Sequence, residues 1–256
     1  MPLNPVLSPW RERRVWLIGA STGIGRATAE LLHSQGAQVI VSARGQAALD
    51  TLAAQCPGLQ VLAFDASDPA AVQAAANQLL AQGGLDLVMY CAGIYTALRA
   101  QDIQASVLQQ HMQVNYMGAV HSIAAVLPAM LAAGRGHISL VSSVAGFRGL
   151  PHALAYGPSK AALINLAETL YLDVHDHGLG VSLVNPGFVQ TELTAKNKFH
   201  MPGLILPAQA AIEIIAGWER GLFEIHFPKS FTRWMKLLRL LPYRAYFKAT
   251  RHMTGL

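Results

Sequence analysis

The sequence predicts a single α/β domain built on a doubly wound parallel sheet, and three observations lead there. Short runs rich in Val, Ile and Leu recur along the chain, each bounded by turn residues and followed by a helical stretch. The runs are apolar throughout rather than alternating, as strands covered by helices on both faces are. The 256 residues are 52% hydrophobic and 13% charged, which supplies the core of one large domain and excludes a disordered chain.

The elements follow in order. VWLIGA at 15–20 is the first strand, with a helix over 24–35. VIVSA at 39–43 is the second, followed by a helix to about 55. VLAFD at 61–65 precedes a helix over 69–81, and LDLVMYCAG at 85–93 is the fourth strand. A long helical region covers 103–132. HISLVSS at 137–143 leads to a helix over 154–177, and VSLVNPG at 181–187 is the sixth strand. The segment 188–207 breaks the alternation and reads as a lid over the strand ends, where open sheets of this type bind ligands. A helix over 208–220 and a strand-like FEIHFP at 223–228 follow. There is no internal repeat. Residues 1–228 form the domain and 229–256 a C-terminal helical extension.

Two cysteines, Cys56 and Cys91, make no disulfide framework and fit a reducing compartment. The first residues lack the charge and apolar run of a secretory signal, and no apolar stretch reaches the roughly 18–20 residues of a spanning helix. The expectation is a cytoplasmic protein. The ten histidines form no ligand set, so no metal is expected. The net charge of +5 is concentrated in the tail, which from 229 onward has seven Lys or Arg and no Asp or Glu. Aromatic–basic patterning for nucleic acid is missing. In the tail, Phe231, Trp234, Met235, Leu238 and Leu241 share one helical stripe, with Arg233, Lys236 and Arg239 off it. Two readings stand: packing on this domain or a partner subunit, or peripheral contact with an anionic membrane.

The chemistry begins at Gly19-Ala20-Ser21-Thr22-Gly23-Ile24-Gly25, between the first strand and first helix. Glycines there let the backbone approach a pyrophosphate, and the helix start offers free N–H groups. The spacing G-x-x-x-G-x-G resembles the cofactor loop of the short-chain dehydrogenase/reductase family, with Ile18 in place of the usual threonine. Arg44, just past the second strand, has no acidic neighbour from 38 to 48 and suits a 2′-phosphate, so NADP(H) is the expected cofactor. Asp65 resembles the family aspartate beside the adenine. A surface arginine and a turn aspartate are the bland alternatives at these two positions.

Tyr156 and Lys160, four residues apart, lie on one helix face, where an ammonium beside a phenol favours phenolate. The pair resembles the family's Y-x-x-x-K, with Pro158 inside it. Ser143, thirteen residues earlier, resembles the serine that bonds the substrate carbonyl; Ser142 is its rival, and strand alternation points the two opposite ways. Asn115 resembles the asparagine that holds a water beside the lysine. Pro186-Gly187 and Thr191 resemble the nicotinamide-contacting motif. Tyr90-Cys91-Ala92-Gly93 departs from the family's N-N-A-G, and Cys91 at a buried strand end is read as unreactive. His152 reads as a surface histidine.

The resemblance implies a Rossmann-like fold of about seven strands and further cofactor contacts at Ala66, Ala92, Gly93 and Val189. It implies proton transfer by Tyr156, phenol tuning and ribose binding by Lys160, carbonyl polarisation by Ser143, and a homodimer or homotetramer. The expected activity is hydride exchange between NADP(H) and a carbonyl or secondary alcohol, with a hydrophobic substrate. A 3-oxoacyl thioester reductase and a non-catalytic cofactor-binding regulator are the alternatives.

Overall fold

The computed structural model describes residues 2–195, 197 and 201–255. Its sheet has seven parallel strands in the order β3-β2-β1-β4-β5-β6-β7. They are β1 (Arg14–Ile18), β2 (Gln38–Ser42), β3 (Gln60–Val61), β4 (Leu87–Tyr90), β5 (Gly136–Val141), β6 (Leu179–Pro186) and β7 (Glu224–Phe227). The order reverses between β1 and β4, and this switch point opens a crevice at the carboxyl ends of the strands.

Ten helices alternate with the strands among the described residues: α1 (Gly23–Ser34), α2 (Gln46–Gln55), α3 (Pro69–Ala81), α4 (Ala105–His111), α5 (Gly118–Ala133), α6 (Tyr156–Val174), α7 (Glu192–Ala195), α8 (Pro207–Glu219), α9 (Lys229–Leu240) and α10 (Tyr243–Thr254). Side chains along each strand feed two cores. In β1, Trp16 and Ile18 join α3, α5 and α6 on one face, while Val15 and Leu17 join α1, α2 and α8 on the other. This is why the strand runs carry no polar phase. Asp68 starts α3 by accepting from the Ala70 and Ala71 N–H groups, with Pro69 in the first turn.

Two expectations need correction, and the long helical region, which is borne out, carries an added detail. The third strand is two residues long rather than five, although the chain stays extended: Leu62 and Phe64 still donate to Val41 and Ala43. The long helical region contains a π-helical turn, Met112–Met117, between α4 and α5. Residues 105–133 together are long and apolar enough to cross a membrane, contrary to the sequence expectation. Ala119, Ile123, Val126 and Met130 of that helix are instead buried in the core.

The tail folds onto the domain. Met235, Leu238 and Tyr246 are buried in the α3–α5–α6 core, and Phe231 and Leu241 pack against it. Most of the expected stripe is therefore covered by the chain itself. Of the 188–207 lid, residues 196 and 198–200 lie outside the described residues. The remainder folds back, Val189 bridging to Ile205.

Candidate active site

Gly19 and Gly23 adopt φ of 93° and 57°, which turns the chain from β1 into α1. A side chain at Gly19 would overlap the Ala92 backbone, and one at Gly25 would overlap the Gly19 carbonyl. The loop is thus pressed against the end of β4. Thr22 caps α1 without a side-chain hydrogen bond, and no acidic residue occupies the first turn. The opening N–H groups are left to an incoming anion.

A cavity of about 700 Å³ runs along this crevice. Every cofactor-contacting position named above lines it except Gly25, which lies behind the loop as packing. Arg44 and Asp65 stand at one end, Tyr156, Lys160, Pro186 and Gly187 further along. Asp65 accepts from the Ser67 N–H at 2.9 Å and the Ser67 hydroxyl at 2.7 Å. Burial raises the Asp65 pKa, but these bonds and the Arg44 charge outweigh it and hold the carboxyl below its usual range. Thr191 contacts Gly23 across the cavity, its methyl lying where a Gly23 Cβ would point.

Ser143 lies two residues past the end of β5 and caps the short turn Val144–Gly146, accepting from the Ala145 N–H at 3.1 Å. The Ser142 hydroxyl donates to the Lys160 main-chain carbonyl at 2.7 Å, so Ser143 has the hydroxyl directed at the phenol. Burial pushes the Tyr156 phenol up to about 12, and the hydrogen bond with Ser143 opposes this. Burial lowers the Lys160 ammonium from 10.5 to about 8. The ammonium donates to the Val141 carbonyl at 2.9 Å and lies 5.6 Å from the Tyr156 ring centroid. The expected lowering of the phenol pKa by Lys160 is not found. Burial dominates, and the ammonium is held by a carbonyl instead.

Asn115 is fully buried in the π turn. Its Oδ1 accepts from the Ile94 N–H at 2.8 Å, and its Nδ2 donates to the Ile94 carbonyl at 3.1 Å and Ser159 Oγ at 2.9 Å. A Cβ at Gly93 would sit 3.4 Å from the Asn115 Oδ1 and 3.5 Å from the Lys160 Nζ, so the asparagine braces the turn on which the lysine rests. Tyr90 explains the departure from N-N-A-G. Its buried hydroxyl donates to the Val114 carbonyl inside the π turn, and any side chain at Gly118 would overlap it. Burial pushes the Cys91 thiol up to about 11, in keeping with an unreactive cysteine. His152 is exposed, with φ of 60°, and its carbonyl accepts from Leu98 N.

Sequence reasoning missed several neighbours. The Tyr95 ring meets Tyr156 edge to face, centroids 5.3 Å apart. Phe231 of α9 packs on Gly187 and lies 5.4 Å from the Phe188 ring. Arg148 donates to the carbonyls of Leu238, Arg239 and Leu241 and lies over the Tyr246 ring at 4.0 Å. Tyr95 lies two residues past Gly93, but nothing in its spacing marks it; the other contacts join segments distant in sequence.

A family described as short chain dehydrogenase matches residues 13–201. An uncharacterized oxidoreductase of Myxococcus xanthus is 35% identical over 94% of this chain and 97% of its own length. Dehydrogenase/reductase SDR family member 7B of Bos taurus is 33% identical over 72% of this chain; the match spans 60% of that longer relative. The crystal structure of a short-chain dehydrogenase from Streptomyces avermitilis superposes with a TM-score of 0.81 over 95% of this chain and 98% of its own, at 24% identity, and shares the fold. The glycine loop at the switch point, the Ser143–Tyr156–Lys160 cluster and these likenesses agree: the chain belongs to the short-chain dehydrogenase/reductase family of oxidoreductases, whose Rossmann-like fold implies a nicotinamide cofactor.

Proposed function

We propose that this chain exchanges a hydride between NADP(H) and a hydrophobic carbonyl compound or secondary alcohol. The observation that carries the cofactor choice is Arg44 at the cavity wall, with no carboxylate at the end of β2 to receive a ribose 2′-hydroxyl. Asp65 also lines the cavity, but its Oδ1 is engaged by Ser67. The guanidinium fork suits a 2′-phosphate.

Bound in the crevice, the nicotinamide supplies or accepts the hydride. The Tyr156 hydroxyl gives its proton to the carbonyl oxygen in reduction and takes it back in oxidation. A phenol held up to about 12 stays protonated at neutral pH, ready to donate. Ser143 donates a hydrogen bond to the same oxygen and orients it. Lys160 sits close enough to favour the phenolate as it forms, once its ammonium turns from Val141. Asn115 keeps the Gly93–Ile94 turn in place beside that ammonium. The apolar side chains of Ile94 and Leu193 on the cavity wall, with the Tyr95 ring packed against Tyr156, support a hydrophobic substrate.

The test is a screen of ketones, aldehydes, secondary alcohols and 3-oxoacyl thioesters, followed by NADPH and NADH absorbance. Turnover with NADPH is expected on carbonyl compounds. A preference for thioesters would move the substrate class, and NADPH binding without turnover would make the chain a regulator.

A further inference from the structure

The inner side of the tail is used, but its outer side is not. On α9, Trp234, Leu237 and Leu240 are 42%, 64% and 79% exposed, and Leu237 and Leu240 lie off the stripe expected from sequence. On α10, Tyr243 and Phe247 are mostly exposed, their rings stacked at 5.7 Å. The short link between the helices is held by Arg148, which donates to the Leu241 carbonyl at 2.6 Å and lies over the rings of Tyr243 and Tyr246. The two faces are therefore fixed rather than trailing.

The charges around this apolar row have one sign. Arg233, Arg239, Arg244 and Lys248 are exposed, and among the described residues none of them is ion-paired with a carboxylate. Lys236 pairs with Glu224 of β7. The outer faces thus combine Trp, Tyr, Phe and Leu with unneutralised cations and no acid. A second copy of the same face would bring like charges together.

We propose that the outer faces of α9 and α10 dock this chain on an anionic lipid bilayer. Leu237, Leu240 and Phe247 enter the acyl boundary, Trp234 and Tyr243 sit at headgroup level, and Arg233, Arg244 and Lys248 meet lipid phosphates and carboxylates. The opposite side of α9 touches the site, since Phe231 packs on Gly187. Docking therefore brings the substrate end of the crevice to the lipid surface.

The chain carries its own reporter. Of its four tryptophans, Trp10, Trp16 and Trp218 are buried and Trp234 is exposed. The full chain is mixed with phosphatidylcholine vesicles with and without a third of phosphatidylserine, including brominated acyl chains. The expected result is at least tenfold stronger partition into the anionic vesicles, weakened by salt, with Trp234 quenched and blue-shifted. Trp234→Phe should lose the optical signal and still sediment. Replacing Arg244 and Lys248 by Gln should weaken partition about 25-fold, roughly fivefold per charge. Leu237→Gln with Phe247→Gln should abolish it while leaving the thermal midpoint nearly unchanged, because both positions are exposed. Equal partition into both vesicle types overturns the proposal. So does a Trp234 shift that follows protein concentration without lipid, which would make the occupant a second copy. No readout depends on turnover, so failure here is distinct from failure of the cofactor reading.

Discussion

The Lys160 ammonium lies 5.6 Å from the centre of the Tyr156 ring and is hydrogen-bonded to the Val141 carbonyl, not to the phenol. Burial thus acts on the two groups in opposite senses, raising the phenol to about 12 and lowering the ammonium to about 8. Each is shifted toward its neutral form, as a cavity with few compensating charges requires.

Tyr156→Phe should abolish turnover while NADPH affinity stays within a few-fold. The ring and its packing against Tyr95 survive the change and the proton does not. Steady-state rates and NADPH fluorescence titration read the two effects separately. Retained activity would remove the phenol from the reaction.

Arg44→Ala should weaken NADPH by about 10- to 100-fold and NADH by less than threefold, since a charge-assisted contact to phosphate is worth about 1.5–3 kcal/mol. Equal losses for both cofactors would show that Arg44 does not read the 2′-phosphate.

Lys160→Met tests the burial of the ammonium through pH. A lysine whose pKa falls from 10.5 to about 8 on folding disfavours the folded state most below pH 8, on the order of 3 kcal/mol, and this penalty fades as pH rises to 10.5. Relative to the unaltered chain, the inactive variant should gain most below pH 8, offset by about 1–3 kcal/mol for the unpaired Val141 carbonyl. Its relative stability should then fall as pH rises through that window. Urea melts at neutral and alkaline pH give the sign; a difference independent of pH would mean the ammonium is not buried in its charged form.

Tyr90→Phe should cost about 1–3 kcal/mol, because the Val114 carbonyl of the π turn loses its buried donor. The reaction should persist with a modest fall in kcat, since Asn115 keeps its own bonds to Ile94. A thermal midpoint unchanged from the original chain would show that the turn holds without Tyr90.

Arg148→Ala should destabilise the chain by about 2–3 kcal/mol and loosen α9 and α10, and Arg148→Lys should recover little. One guanidinium serves three carbonyls and two rings, which an ammonium cannot match. Hydrogen exchange confined to the tail would report the loosening; full rescue by lysine would show that charge alone suffices.

The sequence by itself determined the succession of strands and helices through the sixth strand, the glycine turn, and the shared helix face of Tyr156 and Lys160, because these rest on local periodicity and on spacing along one helix; Ser143 was legible through its resemblance to the family's serine. Arg44 was legible for the same reason, as a cation directly after a strand. Only the tertiary structure decided where the hydroxyls and the ammonium point. Ser142 is turned to the Lys160 carbonyl and Ser143 to the phenol, and burial, a property of the whole crevice, sets both pKa values. Tyr90 could not be read as the partner of Val114, nor Arg148 as the clamp on Leu241, because those contacts join segments 24 and 93 residues apart. The tail shows the limit most plainly. Its helical period was evident, but α9 has large apolar residues on more than one face, and periodicity cannot say which of them the domain will cover. Packing buried Met235 and Leu238 and left Leu237 and Leu240 outside, because the core beneath α9 accepts one face and the helix has turned the other to solvent.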